Sequence, residues 1–355
     1  MKNTVLIALS LLLITNCNQS QQDIKGAVKP NKITFEVNEG TEFLLTAFNL
    51  AIGDEVPEDY KPCETSYTKS LNAYFLPHKE HPFIKYIYDN VNSGTDFASI
   101  GLIITNFETM ELSSNIDKEL IRQNTYTDDI DNFRTLATEF YTETKFNSFF
   151  ESHKRYYVNS ISNIEKQLDS EHLLESIQEF YQDDRIGLEL KVFVELTNNN
   201  ENQAVDFYDN YNPNIRAITL GNFCDSSSES TAKNEQLDLK DYQGVLCHEL
   251  SHLYTTSIFL DKYIGNIEDF RALFDDDLTT TQIKDRVDHI IIRPLQALLT
   301  KKIFNDLTGS YFYKKQSNTI EKDVYQLFSR YEPNATKRFE YYYKEALELI
   351  RNSAK

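Results

Sequence analysis

Gly244-Val245-Leu246-Cys247-His248-Glu249-Leu250-Ser251-His252-Leu253-Tyr254 holds a complete HExxH pentapeptide in an apolar setting. On an α-helix, residues four apart stand one above the other on the same face, so His248 and His252 can both reach one tetrahedral Zn²⁺. Glu249 then lies beside the water that such an ion activates, in position to act as general base. Between Val245 and Leu253, Glu249 is the only formally charged residue. A buried active-site helix requires this, because a second charge beside the metal would have to be desolvated. The competing reading is an ordinary amphipathic helix carrying two unliganded His. Cys247 adjoins His248 but projects about 100° away round the helix, so it reads as a core residue and not as a ligand.

Working outward, the period of the apolar pattern changes on either side of the motif. Ile186 to Leu196 reads as a strand, Asn198 to Asn202 and Asp209 to Asn214 as Asn-rich turns, and Arg216 to Phe223 as a second strand. A polar loop, Asp225 to Asn234, leads into the motif helix at about Lys240 to Ser257. Upstream, Lys32 to Val37 alternates as a strand. Helical spacing follows in Glu42 to Ile52 (ended by Gly53), Ser66 to Leu76, Pro82 to Val91 and about Asp96 to Phe107. Ile116 to Tyr181 is helical throughout, with an aromatic stripe that includes Phe133, Phe140, Tyr141, Phe146, Phe149, Phe150, Tyr156 and Tyr157. Such a stripe reads as a helix-packing core before it reads as a ligand box. Beyond the motif, Gln282 to Phe304 and Ala335 to Arg351 are the clearest helices. These patterns predict an α+β fold, predominantly helical. A zincin-like lobe, a small sheet plus the HExxH helix, would pack with helical N- and C-terminal segments. The expected division is a mainly helical lobe over 31–185 and a catalytic lobe over 186–355. In the zincin architecture an extended peptide adds to the sheet edge above the metal, and Ala217 to Phe223 is either that edge strand or a core strand.

The chain opens with Lys2 followed by an apolar run, Val5 to Ile14, too short to span a bilayer core. It reads as an export signal over residues 1–16. The sequence Ile14-Thr15-Asn16-Cys17 resembles a bacterial lipobox, although small residues usually stand where Asn16 does. That resemblance implies cleavage before Cys17, lipidation of its thiol, and attachment of the exported chain to a membrane, facing the periplasm or the cell surface. A secreted chain without lipid is the alternative. Residues 17–30 read as a flexible tether. A net charge of −19 argues against a nucleic-acid partner, whose phosphates would be repelled. With Cys17 assigned to lipid, Cys63 and Cys224 are left as a possible disulfide pair beside Cys247, or as free buried thiols. No CxxC spacing exists for a structural zinc site.

Two His do not complete a catalytic zinc site, so a third ligand has to come from elsewhere, with water in the fourth position. The HExxHxxGxxH pattern of metzincins is excluded, because its Gly and His positions are Thr255 and Ile258 here. Acidic candidates downstream are Glu268, Asp275, Asp276, Asp277, Asp285 and Asp288. The imidazole candidate is His289, in Asp288-His289-Ile290-Ile291-Ile292-Arg293.

Over most of residues 30 to 300 the chain resembles a family of exported bacterial lipoproteins of unknown function, regarded as gluzincin-like peptidases. The matching stretches are Tyr74-Phe75 with His81-Pro82, the aromatic helices from Phe140 to Tyr157, and His248 to His252; only the last is specific. In that family a Glu typically stands four residues before the Arg of the downstream helix, and this chain has His289 there. The resemblance implies Zn²⁺ as cofactor, hydrolysis of a peptide or protein substrate, and a metal held by His248, His252 and His289, with Glu268 or Asp288 as other choices. Arg293 would orient that ligand or pair with an acidic neighbour. An inactive zincin-like lipoprotein that only binds peptide or glycan is the alternative.

Overall fold

The computed structural model describes residues 31–53, 62–90, 97–114, 130–166, 168, 170–184, 187–198, 202–205, 215–221, 239–274, 277–304, 319–333 and 335–354. The signal segment, Cys17, the tether and Cys224 lie outside these residues. The alternating Lys-Ile-Thr-Phe-Glu stretch forms β1 (Lys32–Glu36). Asn38 then caps α1 (Glu39–Ile52), its side chain accepting from the Thr41 amide at 2.9 Å. Gly53 ends that helix at φ +55°, a left-handed conformation that favours glycine. Thr65 and Thr68 cap each other's amides at the start of α2 (Ser66–Phe75), and α3 (Pro82–Asn90) begins with Pro82, whose missing N–H is harmless there.

Next comes α4 (Phe97–Leu102), which ends five residues before the expected Phe107. The chain turns instead into a small antiparallel hairpin, β2 (Ile104–Asn106) with β3 (Glu111–Leu112). Apolar Leu102, Ile103 and Ile104 fit either period, and here the strand pairing wins by placing Leu102 and Ile103 against Phe193 and Val205. The short α4 crosses α1 at Gly40 and Gly101. A Cβ on Gly101 would overlap the backbone of Gly40 and Thr41, so the two helices touch through bare backbone. We expect Gly101→Ala to force them apart and to lower stability by about 1–3 kcal/mol, read by chemical denaturation; an unchanged midpoint would contradict that contact.

The helical middle of the chain comprises α5 (Ile130–Thr144), α6 (Phe146–Ser152), α7 (Lys154–Glu165) and α8 (Ser170–Tyr181). Its aromatic stripe is core, as the spacing predicts. Phe43 of α1 stacks on Phe83 at 5.9 Å between ring centres and meets Phe146 edge-on at 5.1 Å. Tyr67 packs among Phe149, Tyr156 and Tyr157. Each such ring, fully buried, contributes on the order of 1.5–3 kcal/mol through area removed from water. Within this core sits a buried carboxyl, Glu42. It accepts from the Tyr67 hydroxyl at 2.8 Å and from the Leu196 amide at 2.7 Å, and burial pushes it up to about 7. Those bonds tie the first turn of α1 to the end of β4.

The main sheet contains β1, β4 (Glu189–Glu195), β5 (Asn202–Val205) and β6 (Ile215–Gly221), in the order β1-β4-β6-β5. β1, β4 and β6 run parallel, and β5 is antiparallel to β6. The sheet therefore takes its first strand from the N-terminal lobe expected over 31–185. This topology decides between the two readings of the strand before the motif helix, in favour of a core strand. The β6 strand, which covers Ala217 to Gly221, is paired on both sides and is internal. The edge strands are β1 and β5, and β5, the one beside β6, begins at Asn202, where an Asn-rich turn was expected. Asn-rich composition disfavours strand by propensity, but sheet pairing with β6 overrides it.

The motif helix, α9 (Leu239–Thr255), continues through a π-helical turn, Thr256–Leu260. Tyr181 donates to Ser251 Oγ at 2.8 Å and stacks on Tyr254, which fixes α9 against α8. A 3₁₀ segment (Ile267–Leu273) precedes α10 (Thr280–Phe304), α11 (Thr319–Phe328) and α12 (Phe339–Ser353). Cys247 is buried and free, as its place on α9 predicts, while Cys63 is disulfide-bonded to a cysteine outside the described residues. Among the described residues, no helix is long and apolar enough to cross a membrane.

Candidate metal centre

Helices α9 and α10 pack side by side and build the centre between them. His248 on α9 meets Gln296 on α10, and His252 meets Asp288, so the two helices run antiparallel through the site. On α10, Asp285, Asp288, His289 and Gln296 occupy relative positions 0, 3, 4 and 11, a single stripe of a 3.6-residue helix. One turn beyond His289, Pro294 removes the amide that would bond the Ile290 carbonyl.

Among the described residues, His248, His252 and His289 form the one group whose ligating atoms can hold a metal ion, all within 4.8 Å of one another. Nε2 of His248 and Nε2 of His252 are 3.2 Å apart. Two nitrogens bound to one tetrahedral zinc at about 2.0–2.1 Å would stand about 3.3 Å apart, so this pair is already at ligand spacing. Bringing the third ring to that spacing requires His289 to draw inward.

The other ring nitrogen of each His is engaged from behind. Nδ1 of His248 faces Gln296 Oε1 at 3.1 Å, Nδ1 of His252 faces Asp288 Oδ2 at 3.0 Å, and Nδ1 of His289 faces the Asp285 carbonyl at 2.9 Å. All three partners are acceptors, so each Nδ1 carries the hydrogen and donates it. Each Nε2 is left with a bare lone pair. Lone pairs of His248 and His252 that face each other across 3.2 Å repel, unless a cation or a proton lies between them. Partners behind the rings orient them and raise their basicity, so the trio could hold a metal ion. Burial holds His248 well below the usual histidine range, with His252 and His289 adding to the effect. Burial is the largest single influence on His289 and acts in the same direction, but the hydrogen bonds and charge of Asp285, with the charge of Asp288, together outweigh it and leave the ring above the ordinary value.

Asp288 is therefore not a ligand in this arrangement. It is buried, and its Oδ2 also accepts from Thr256 Oγ1 at 2.5 Å, in the π-helical turn that follows α9. A π-turn at this point places the Thr256 hydroxyl where it reaches both His252 and Asp288. We expect Asp288→Asn to weaken metal affinity by about 10–100-fold while the fold is kept, measured by competition with a chromophoric chelator. Unchanged affinity would remove Asp288 from the site.

Glu268 is not a ligand either. It lies exposed on the 3₁₀ segment, where both its oxygens are bound by Arg271. Asp275 and Asp276 lie outside the described residues, and Asp277 falls outside the metal-competent group. Arg293 takes the second of its two expected roles, pairing with the buried Glu321 at 3.2 Å. Sequence reasoning missed Gln296 and the part played by Asp285. Their signal is the helical offset from His289, seven residues after it and four before.

Glu249 is buried on the same helix and borders a cavity of about 250 Å³ with the three His, Thr256, Asp285 and the β5 residues Asn202, Gln203 and Ala204. The Ala204 amide of the edge strand hydrogen-bonds its carboxylate, but burial dominates and pushes the group up to about 7. The site thus presents a metal-competent imidazole trio, one carboxyl group with basic capacity, and a sheet edge alongside. Comparison of the chain with protein-family models, with curated proteins and with solved structures gave no match.

Proposed function

We propose that the chain is a zinc-dependent metallopeptidase. The observation that carries this reading is the trio of His248, His252 and His289, each with Nδ1 held by an acceptor, the Nε2 atoms of His248 and His252 3.2 Å apart, and one ligating atom of each within 4.8 Å of the others. Zinc suits a neutral three-imidazole set that leaves a fourth position open, a ligand combination found in catalytic sites. When bound, zinc supplies a water of lowered pKa and polarises a carbonyl. Glu249 takes the water proton and passes it to the departing amine. Its isolation from other carboxylates in the motif helix keeps it available for that exchange. The edge strand β5, which borders the same cavity, offers main-chain groups along which an extended peptide can align, and this favours peptides over smaller substrates.

The disulfide at Cys63 fits an oxidising compartment and supports the reading of residues 1–16 as an export signal with lipid on Cys17. The direct test is metal content together with cleavage. Protein purified without added metal should carry one zinc per chain, and chelation should abolish hydrolysis of a quenched peptide library, with zinc restoring it. Zinc-free protein that refuses added zinc would overturn the proposal.

A further inference from the structure

A second cavity, about 460 Å³, adjoins the metal centre through their shared residues Asp285 and His289. Phe274, Arg286, Ile290, Arg293 and Glu321 complete its lining. In a chain of net charge −19, this pocket is locally balanced, its two guanidinium groups offsetting its two carboxylates. Each carboxylate of the pocket is already matched. Asp285 Oδ1 stands 3.3 Å from His289 Nδ1, and Glu321 Oε1 is 3.2 Å from Arg293 Nη1. Arg286 has no carboxylate partner among the described residues. Its guanidinium lies over the Phe274 ring, 5.9 Å from the ring centre, which holds a planar fork beside an apolar floor.

We propose that this cavity is the side-chain pocket of the metal site and selects a carboxylate, so that the substrate carries an acidic residue flanking the scissile bond. The inference rests on the metallopeptidase reading. A ligand seated on the three His and extending past His289 enters the pocket, where its side chain meets Arg286 with Arg293 behind it. A guanidinium presents paired N–H donors that match the two oxygens of a carboxylate, a geometry that an amide reproduces only in part. A lysine or arginine in the same place would face the unmatched guanidinium of Arg286. The acidic surface elsewhere repels acidic peptides, so recognition depends on this pocket.

The test uses three peptide hydroxamates that differ only in bearing Glu, Gln or Lys next to the metal-binding group. They are titrated calorimetrically into zinc-loaded protein, alongside hydrolysis of matching quenched peptides varied on either side of the scissile bond. We expect the Glu compound to bind about 10-fold tighter than the Gln compound, with the Lys compound weakest. Arg286→Glu should reverse the order of Glu and Lys, and Arg286→Gln should erase it. Equal binding of all three, or a Glu preference untouched in Arg286→Glu, overturns the pocket. Charge discrimination by the hydroxamates without hydrolysis of any peptide keeps the pocket and removes the peptidase reading. Hydrolysis without charge preference does the reverse, and failure of every hydroxamate to bind the zinc-loaded protein overturns both.

Discussion

Glu249→Gln is expected to keep one zinc per chain and to lose hydrolysis by about 10²–10⁴-fold in kcat, the range associated with a positioned general base. The substitution keeps the size of the side chain and can still accept the Ala204 amide, but an amide oxygen has no useful basicity toward a water proton. Burial is already arranged for a group that can be neutral, so the fold should tolerate the change. A quenched-peptide assay at saturating substrate, with metal measured on the same sample, separates loss of the base from loss of the ion. A variant that cleaves as fast as the parent would show that Glu249 does not carry the proton.

His289→Ala is expected to have the larger effect on the metal. His248 and His252 alone provide two ligands from one helix, and α10 supplies the third across the interface. Removing an imidazole takes away a bond to the ion and leaves an open wall beside Asp285. The fall in zinc affinity should therefore exceed the 10–100-fold expected of the outer partner Asp288. Competition against a chelator of known affinity reads both variants on one scale. If His289→Ala binds zinc more tightly than Asp288→Asn, the third ligand is another group.

How far the sequence carried the structure depended on whether a feature was local. The strand at Lys32, the end of α1 at Gly53, the opening of α3 at Pro82 and the helix bearing His248 and His252 all follow from spacing and termini within a few residues. The aromatic stripe was legible as core because its period is helical. Features set by pairing across the chain were not. β5 is a strand because β6 lies beside it, and its Asn202-Gln203-Ala204-Val205 sequence has no strong preference of its own. The early end of α4 reflects the β2–β3 hairpin in the same way. In the site, the motif itself fixed two rings and the carboxylate. His289 stood as one candidate among several, since spacing along the chain does not say which face of α10 meets α9. Once that face is set by His289, Asp285, Asp288 and Gln296 follow from helical offsets, and Glu268 drops out through its pairing with Arg271.

The measurement that bears most directly on the three-imidazole centre is X-ray absorption at the zinc edge on the stoichiometrically loaded protein. The geometry predicts three imidazole nitrogens at about 2.0–2.1 Å and one further oxygen donor, with one imidazole lost in His289→Ala. A spectrum with only two imidazoles in the parent, or one unchanged by His289→Ala, would contradict it.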